Sequence, residues 1–597
     1  MKLKILLLFT TAIIISCKSG NKVYNDGSIT YAPLQLTEAE KQTIRQSIER
    51  QSERFDPEGK MITSVLNGWN YHTDAQSGTF HNVRGSFTYA VALLDLGDPQ
   101  YRQRAFDVIG KVISLQDTDP GSKSYGVWPY YEEEPLATKK SPIDYNWADF
   151  NAVSLLDIYM YHRDILPSDL SKKIKEALIL AAGAVKKRDV KMDYTNIAVM
   201  GAYVTYMVSH LFDIPDLKEY ANDRLKKFYN HTLAKNGFSE YNSPTYTITA
   251  LNELDRMRQH IVQPDARQII DALYAVGWEI IATHYHKPTG QWAGPHSRSY
   301  STLLSPSVYR FLNHASNGKI MSDHKDNYDV KSTHQIPEHL LPYFLSPVYP
   351  RVQQNVFENT EPRITGFCYL TDYYALSTAS LSSMWNQRRP FLAYWGTPEK
   401  PSCLQVRMLK DYYDLATAVW YSEQKNNTVL AAINFATDGG DKHLYLDAFT
   451  TGRFPAKDLR LRFEFGNTAI DQLMLPVKND APVCFEIDGL QFNICLFHSV
   501  FSQYKGYWEK GGDDKIAWLD FVLYAGEETE INLTDIDHAA LGFTFRLAAA
   551  GESGPKEKVQ YTVKDGVLDA GWIGLKVSIP VKPDKKPKHY NLEHPLI

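Results

Sequence analysis

The chain is poor in cysteine, with five in 597 residues. None stand at a metal-ligand spacing such as C-x-x-C, so a zinc ribbon or cluster-binding module is excluded. A cationic excess is also missing. Lys and Arg number 64 against 69 Asp and Glu, a net charge of −5. The surface as a whole is therefore no nucleic-acid or heparin-type cationic patch, and an acidic partner must be met by locally placed Arg, Lys, His or Asn. There is no glycine-rich nucleotide loop, no H-E-x-x-H and no G-x-S-x-G, which removes support for phosphoryl transfer, nicotinamide chemistry and Ser-His-Asp hydrolysis. What is abundant is the aromatic ring: 13% of the chain, with 38 Tyr and 26 Phe. Tyr and Trp pair a flat apolar face with a polar edge, which suits stacking on sugar rings and equally suits a Tyr-rich core. Hydrophobic and charged shares of 44% and 22% are those of a globular protein with a sizeable core, and the length calls for more than one domain.

The first residues read as an export signal. Lys2 and Lys4 precede an apolar run from Ile5 to Ile15, 11 residues and too short to span a bilayer. The run ends Ile14-Ile15-Ser16-Cys17, which resembles a bacterial lipobox. The resemblance implies a signal peptide over 1–17, lipid on Cys17, a tether over 18–34, and a cell-envelope protein, periplasm-facing or outer-membrane, that meets the membrane only through its lipid. No later run is long and apolar enough for a transmembrane helix. The other cysteines are Cys368, Cys403, Cys484 and Cys495. The last two flank a predicted hairpin, so a disulfide between them and four buried free thiols are both open.

From about residue 35 to about 315 the apolar spacing is helical. Candidate helices run Thr37–Phe55, Arg84–Leu96, Pro99–Leu115, Trp147–Asp164, Leu170–Arg188, Asn196–Phe212, Asp216–Thr232, Thr245–His260 and Asp265–His284. Thr37 followed by Glu40 is a start signal. Successive helices without intervening strands are expected to stack as hairpins. Residues 326–360, rich in Pro and aromatics, read as a connector. From 361 to 597 short runs rich in Val, Ile, Phe and Tyr alternate with turns. They include Phe391–Trp395, Thr428–Phe435, His443–Phe449, Leu459–Phe465, Pro482–Ile487, Phe492–Phe497, Ile516–Tyr524 and Leu541–Leu547. Asp488-Gly489 is a strong hairpin signal, and the region is expected to be an antiparallel β-sandwich.

Four polar, aromatic-rich loops interrupt the helical half at helix ends. They span Gln116–Trp147, Asp193–Asn196, Gly237–Tyr246 and Gly290–Tyr300. Together they carry Trp128, Tyr130, Asn146, Asn196, Glu240, Asn242, Tyr246, Trp292, His296, Arg298 and Tyr300. Such groups converging on a concave surface are what a sugar-chain cleft needs. The run Gly237 to Tyr246 reads G-x-x-E-x-x-S-P-x-Y. With Trp385-Asn386-Gln387-Arg388-Arg389-Pro390 ahead of Tyr394-Trp395, it resembles segments of the heparinase II/III-like and alginate-lyase-like polysaccharide lyases. The resemblance implies an N-terminal (α/α) toroid followed by the β-sandwich, with catalysis in the toroid over 35–325. It also implies that Tyr246 is the catalytic tyrosine. The expected reaction is β-elimination on a uronic-acid-containing glycan, with an acidic polysaccharide or oligosaccharide as partner.

Such a reaction takes the proton from C5, beside a carboxylate, and expels the oxygen on C4. Charge building on the carboxylate must be neutralised by Asn, Arg or protonated His, and a base and an acid must handle two protons. A Tyr, ordinarily titrating near 10, needs a cation beside it to serve as base. The expected roles are Tyr246 as base or acid with His296 as partner, Asn196 and Arg298 as carboxylate neutralisers, and Tyr300 in support. Trp128, Tyr130, Asn146, Glu240, Asn242 and Trp292 are expected to bind substrate. Each has a plainer reading: Tyr246 as a core residue, Asn196 as a helix cap, the tryptophans as packing. Arg388 and Arg389 read as ties between the two halves. No cofactor is required by the pattern; a divalent metal is compatible with it but has no ligand set. Two other functions fit the same layout. One is a glycoside hydrolase drawing two carboxylates from Asp117, Asp119, Glu132, Asp149 and Glu240. The other is a glycan-binding lipoprotein without catalysis.

Overall fold

The computed structural model describes residues 23–585 apart from 69, 71, 321–328, 360, 441–445 and 447–448. Cys17, the tether's first residues and most of the strand expected at His443–Phe449 lie outside the described residues.

The helical half is built from α1 (Glu38–Ser52), α2 (Val83–Leu96), α3 (Pro99–Ile113), α4 (Asn146–His162), α5 (Ser168–Arg188), α6 (Thr195–Leu211), α7 (Pro215–Ala234), α8 (Tyr246–His260), α9 (Pro264–His284) and α10 (Pro306–Ala315). Local chemistry sets several of the boundaries. Thr37 and Glu40 form a reciprocal capping box at the start of α1. Between α2 and α3 the chain reverses through Gly97, left-handed at φ 72°, then Asp98, which caps α3, then Pro99 at its first turn. All nine expected helices are present, with ends displaced by up to three residues. α10 and the strands Met61–Asn67 and Ser77–His81 ahead of α2 were not anticipated.

The helices form two layers of hairpins. α2, α4, α6 and α8 pack in succession, each paired with the helix that follows it, and α3 packs on α5 and α7 on α9 in the second layer. α4 and α6 are buried on nearly every face, whereas α3, α5 and α7 bury one stripe, so the first set is the inner layer. Because each hairpin reverses the chain, the four inner helices run parallel. Their N-terminal ends, at Val83, Asn146, Thr195 and Tyr246, therefore lie on one side of the layer.

The β half is an antiparallel sandwich. Among the described residues, one sheet runs in the order 507–512, 516–532, 453–466, 401–410, 391–396, 374–379, 364–370 and 351–358. The facing sheet runs 381–383, 418–425, 428–435, 539–549, 490–501 and 483–487. Phe391, Trp395, Trp420, Phe463, Phe492 and Phe543 fill the space between them. A third sheet over 560–580 covers part of the second, placing Leu568 and Ile579 on Leu430 and Ala432. At Asp488-Gly489 both residues have positive φ, 50° and 75°, as a two-residue turn with the twist of the flanking strands requires. The β half begins at Arg351, inside the segment expected as a connector, because strand 351–358 pairs with 364–370. The four cysteines are free. Cys368 and Cys403 are buried, while Cys484 is exposed and Cys495 half-buried, so neither four buried thiols nor a disulfide describes them.

Candidate active site

The site lies where the N-terminal ends of α6 and α8 meet loops 237–245 and 291–300 and a return loop of the sandwich at 384–390. Two braces hold the helical loops together. The Asn242 amide donates to the carbonyls of Ala293 (3.0 Å) and Pro295 (2.9 Å) and accepts from the Trp292 indole (2.5 Å). Ser243 donates from its hydroxyl to the Arg298 carbonyl (2.6 Å) and accepts from the Tyr246 amide (3.0 Å), starting α8 beside Arg298. The sandwich loop joins through backbone. His296 and Arg389 exchange both N–H···O=C bonds at 3.1 and 3.0 Å, Ser299 donates to Gln387 at 2.8 Å, and the Arg388 guanidinium donates to the Ser297 carbonyl at 3.0 Å. Arg388 and Arg389 thus tie the halves together, as their sequence suggested.

Arg298 is the hub. It is 3% exposed. Its Nε donates to the Gln387 side chain at 2.9 Å, one terminal nitrogen donates to the Tyr246 hydroxyl at 3.1 Å, and the other stands 3.6 Å from Glu240. The guanidinium also lies 4.9 Å from the Tyr246 ring centroid and 5.5 Å from that of Trp385. Beyond Tyr246, its hydroxyl is 2.7 Å from that of Tyr300, which is 62% exposed. The result is a line from a buried carboxyl, through a guanidinium and a half-buried phenol, to a phenol open to solvent.

The electrostatics follow from burial. Burial lifts the Glu240 carboxyl to about 7, with Arg298 and then Arg388 pulling the other way. Burial likewise raises the Tyr246 phenol well above its ordinary value, outweighing Arg298, and the Glu240 charge adds to the rise. Tyr246 in the free site is therefore protonated. The neighbouring cation is present and pulls the phenol down as expected, but desolvation is larger, so the net shift is upward. Asn196 sits one residue into α6. Its backbone N–H favours the ionised Glu240 carboxyl, its side chain is 6% exposed, and its amide oxygen has no hydrogen-bond partner among the described residues.

The structure brings Tyr246, Arg298, Tyr300, Glu240 and Asn196 together and moves the other candidates elsewhere. His296 is 2% exposed, bonds the Trp292 carbonyl through Nε2 at 3.0 Å, and is drawn down to about 3 by burial and by the Arg389 charge. It is neutral and part of the junction, so it is no charged partner for Tyr246. Replacing His296 by Ala is expected to destabilise the fold by roughly 1–3 kcal/mol while leaving the pH dependence of turnover in place; a displaced pH profile would return it to the chemistry. Arg298 is wholly engaged by protein groups, so it orients Tyr246 rather than clamping a carboxylate. Trp128 and Trp292 are 1% and 0% exposed and offer no ring face to a ligand. Trp128 packs with its indole on the Val112 carbonyl, deep among the helices. Asn242 is consumed by its brace. Asn146 is held between Arg188 (2.6 Å) and the Tyr194 hydroxyl (3.1 Å). Tyr130, half-buried, stacks with His72 and Trp147 at 4.9 and 4.7 Å. Gln387 and Trp385 were not foreseen as site residues: they lie 89 and 87 positions from Arg298, and no local pattern links them.

The carboxylates available for a hydrolytic pair are dispersed. Asp117 is occupied by Ser122 and Ser124, Glu132 by Lys111, and Asp149 is 2% exposed within α4, beside Arg188 and Arg224. Among the described residues no group of three or more His, Cys, Asp or Glu is placed to hold a metal ion.

A family model described as a domain of unknown function (DUF8769) matches residues 41–313. No curated protein matches the chain. Heparinase III is similar over 92% of this chain and 91% of its own, at 10% identity and a TM-score of 0.47. The chondroitin AC lyase of Streptomyces coelicolor A3, solved with chondroitin sulphate, is similar over 91% of this chain and 85% of its own, at 10% identity and a TM-score of 0.49. A mutant of the heparan sulfate lyase HepC from Pedobacter heparinus is similar over 92% and 90%, at 9% identity and a TM-score of 0.38.

Proposed function

We propose that the protein is a polysaccharide lyase that cleaves a uronic-acid-containing glycan by β-elimination. The observation that carries the reading is the Tyr246 hydroxyl, donated to by Arg298 and joined to the solvent-exposed Tyr300. That arrangement moves a proton to and from a neutral hydroxyl, which elimination needs and glycoside hydrolysis does not. When substrate displaces water, the Arg298 bond lowers the free energy of a Tyr246 phenolate, and Tyr300 is the exit for its proton. The phenolate takes the C5 proton. The C5–H electron pair forms the C4–C5 double bond, the C4–O bond breaks, and the departing oxygen takes up a solvent proton returned through Tyr300, which leaves Tyr246 protonated as at the start. The side-chain NH2 of Asn196, at the start of α6 beside Glu240, donates to the charge that builds on the uronate carboxyl.

The test is absorbance near 235 nm during incubation with a panel of uronic-acid polymers. The expected result is a rise from the conjugated C4–C5 alkene. New reducing ends without that rise would assign hydrolysis instead. Glu240→Gln separates the two further. Because the Glu240 charge makes the Tyr246 phenolate harder to form, removing it is expected to move the limb of the pH profile that reports Tyr246 to lower pH, with activity retained. A hydrolase using Glu240 as its acid would be abolished.

Export and lipid attachment at Cys17 belong to the same proposal, placing the enzyme at the cell envelope. Labelled fatty acid should enter the wild-type protein and not Cys17→Ser.

A further inference from the structure

Below the candidate site the inner helices leave a pit of about 840 Å3 between them. Its lining continues the helix faces that begin at the site. Phe150 and Asp157 of α4 line the pit, Met200 follows Asn196 on α6 by four residues, and Glu253 follows Tyr246 on α8 by seven. These are the spacings of one helical face. α2 forms a wall from Arg84 to Asp95, which makes the pit about 16 Å deep at 1.5 Å per residue.

Among the described residues the far end of the pit is bounded by the strap 329–334. Lys331 extends its ammonium to Asp95 (2.9 Å) and Asp157 (3.2 Å), and its carbonyl accepts from Gln259 (3.1 Å). Thr333 donates to Asp255 from its amide (2.8 Å) and its hydroxyl (2.7 Å). The strap 329–334 is thereby tied across the C-terminal parts of α2, α4 and α8, a floor to the pit among the described residues. Cations and carboxylates both line the walls, with Asp329 among the latter: Lys331 pairs with Asp95 and Asp157, and Arg256 with Glu253. Arg84 lies 3.9 Å over the Phe150 ring, and among the described residues Arg50, Arg84 and Arg310 form no ion pair. Guanidinium groups on an aromatic wall suit a ligand with carboxylates and apolar sugar faces.

We infer that this pit receives one end of an anionic glycan chain and sets the scissile bond a short, fixed distance from that end. This rests on the lyase reading above and adds the mode of attack: cutting from a chain end, not internally.

The experiment has a binding arm that needs no turnover. Tyr246→Phe is titrated calorimetrically with saturated hexuronate tetrasaccharides. Binding is expected, weakened at least tenfold when Ala92→Trp fills the pit from α2 and likewise when Arg84→Gln removes the wall cation, with thermal melts showing both variants folded. Absence of binding, or affinity unchanged in both variants, overturns the inference. In the turnover arm, wild-type protein on a polymer should release short fragments of one size from the first minutes while viscosity falls slowly. A broad ladder of sizes with immediate loss of viscosity overturns the inference and leaves the lyase reading standing. Tetrasaccharide binding lost in Ala92→Trp, with no 235 nm product from any polymer, overturns the lyase reading and supports the pit as a site for a glycan end.

Discussion

Tyr246→Phe is expected to lower kcat by roughly 10²–10⁴-fold, the contribution of a positioned acid–base group, with little change in KM. The substitution removes one oxygen from a ring that keeps its packing under the Arg298 guanidinium, 4.9 Å away. Arg298 retains Gln387 and Glu240, and Tyr300 loses one partner but stays in solvent. The fold should therefore be nearly unaffected, and circular dichroism and melting temperature serve as controls. Tyr300→Phe, which removes the proton's exit and not its carrier, should cost less, within about tenfold to a hundredfold. A Tyr246→Phe protein retaining full turnover at 235 nm would eliminate the proposed chemistry at this site.

The second large effect is on stability. Arg298→Met leaves Glu240 in a fully buried position without its nearest counter-charge. Removing one partner of a buried pair costs about 3–5 kcal/mol. The sign of its pH dependence is fixed by the carboxyl. In the fold Glu240 titrates near 7, above its ordinary value of 4.5, and loss of Arg298 can only raise it further. A group raised in this way favours the fold while protonated and opposes it once ionised. The penalty should thus be small at pH 5, close to the unfolded carboxyl's own titration, and should grow as pH rises through 7 and above. Adding Glu240→Gln to Arg298→Met should restore most of the stability at pH 8 and none of the turnover, because the phenolate still lacks its donor. Urea denaturation at pH 5 and pH 8, paired with 235 nm rates, measures both. Equal losses at the two pH values would show that Glu240 is not the source of the penalty.

The pattern of this chain speaks clearly about some parts and is silent about others. α1, α2 and α3 are written locally, in a capping box, a left-handed Gly97 and a proline at the first turn. The hairpin at Asp488-Gly489 is also local, since only a pair tolerant of positive φ makes that turn without strain. Tyr246 and the loop it ends could be singled out because loop and helix start are contiguous. Trp292 and Asn242 read as ligand contacts because aromatic and amide groups in polar loops serve binding and bracing alike. Only their mutual hydrogen bond, 50 residues apart in sequence, selects the second role.

By itself, then, the sequence determined the helices, the change to strands, and the loop that ends in Tyr246. Those depend on periodicity and neighbours within a few residues. The tertiary structure decided that Arg298 answers to Glu240, Gln387 and Tyr246 at once, that His296 is a neutral clasp, and that burial keeps Tyr246 protonated. Each of these is a matter of how much water remains around a group and which distant group replaces it, and no spacing along the chain encodes that.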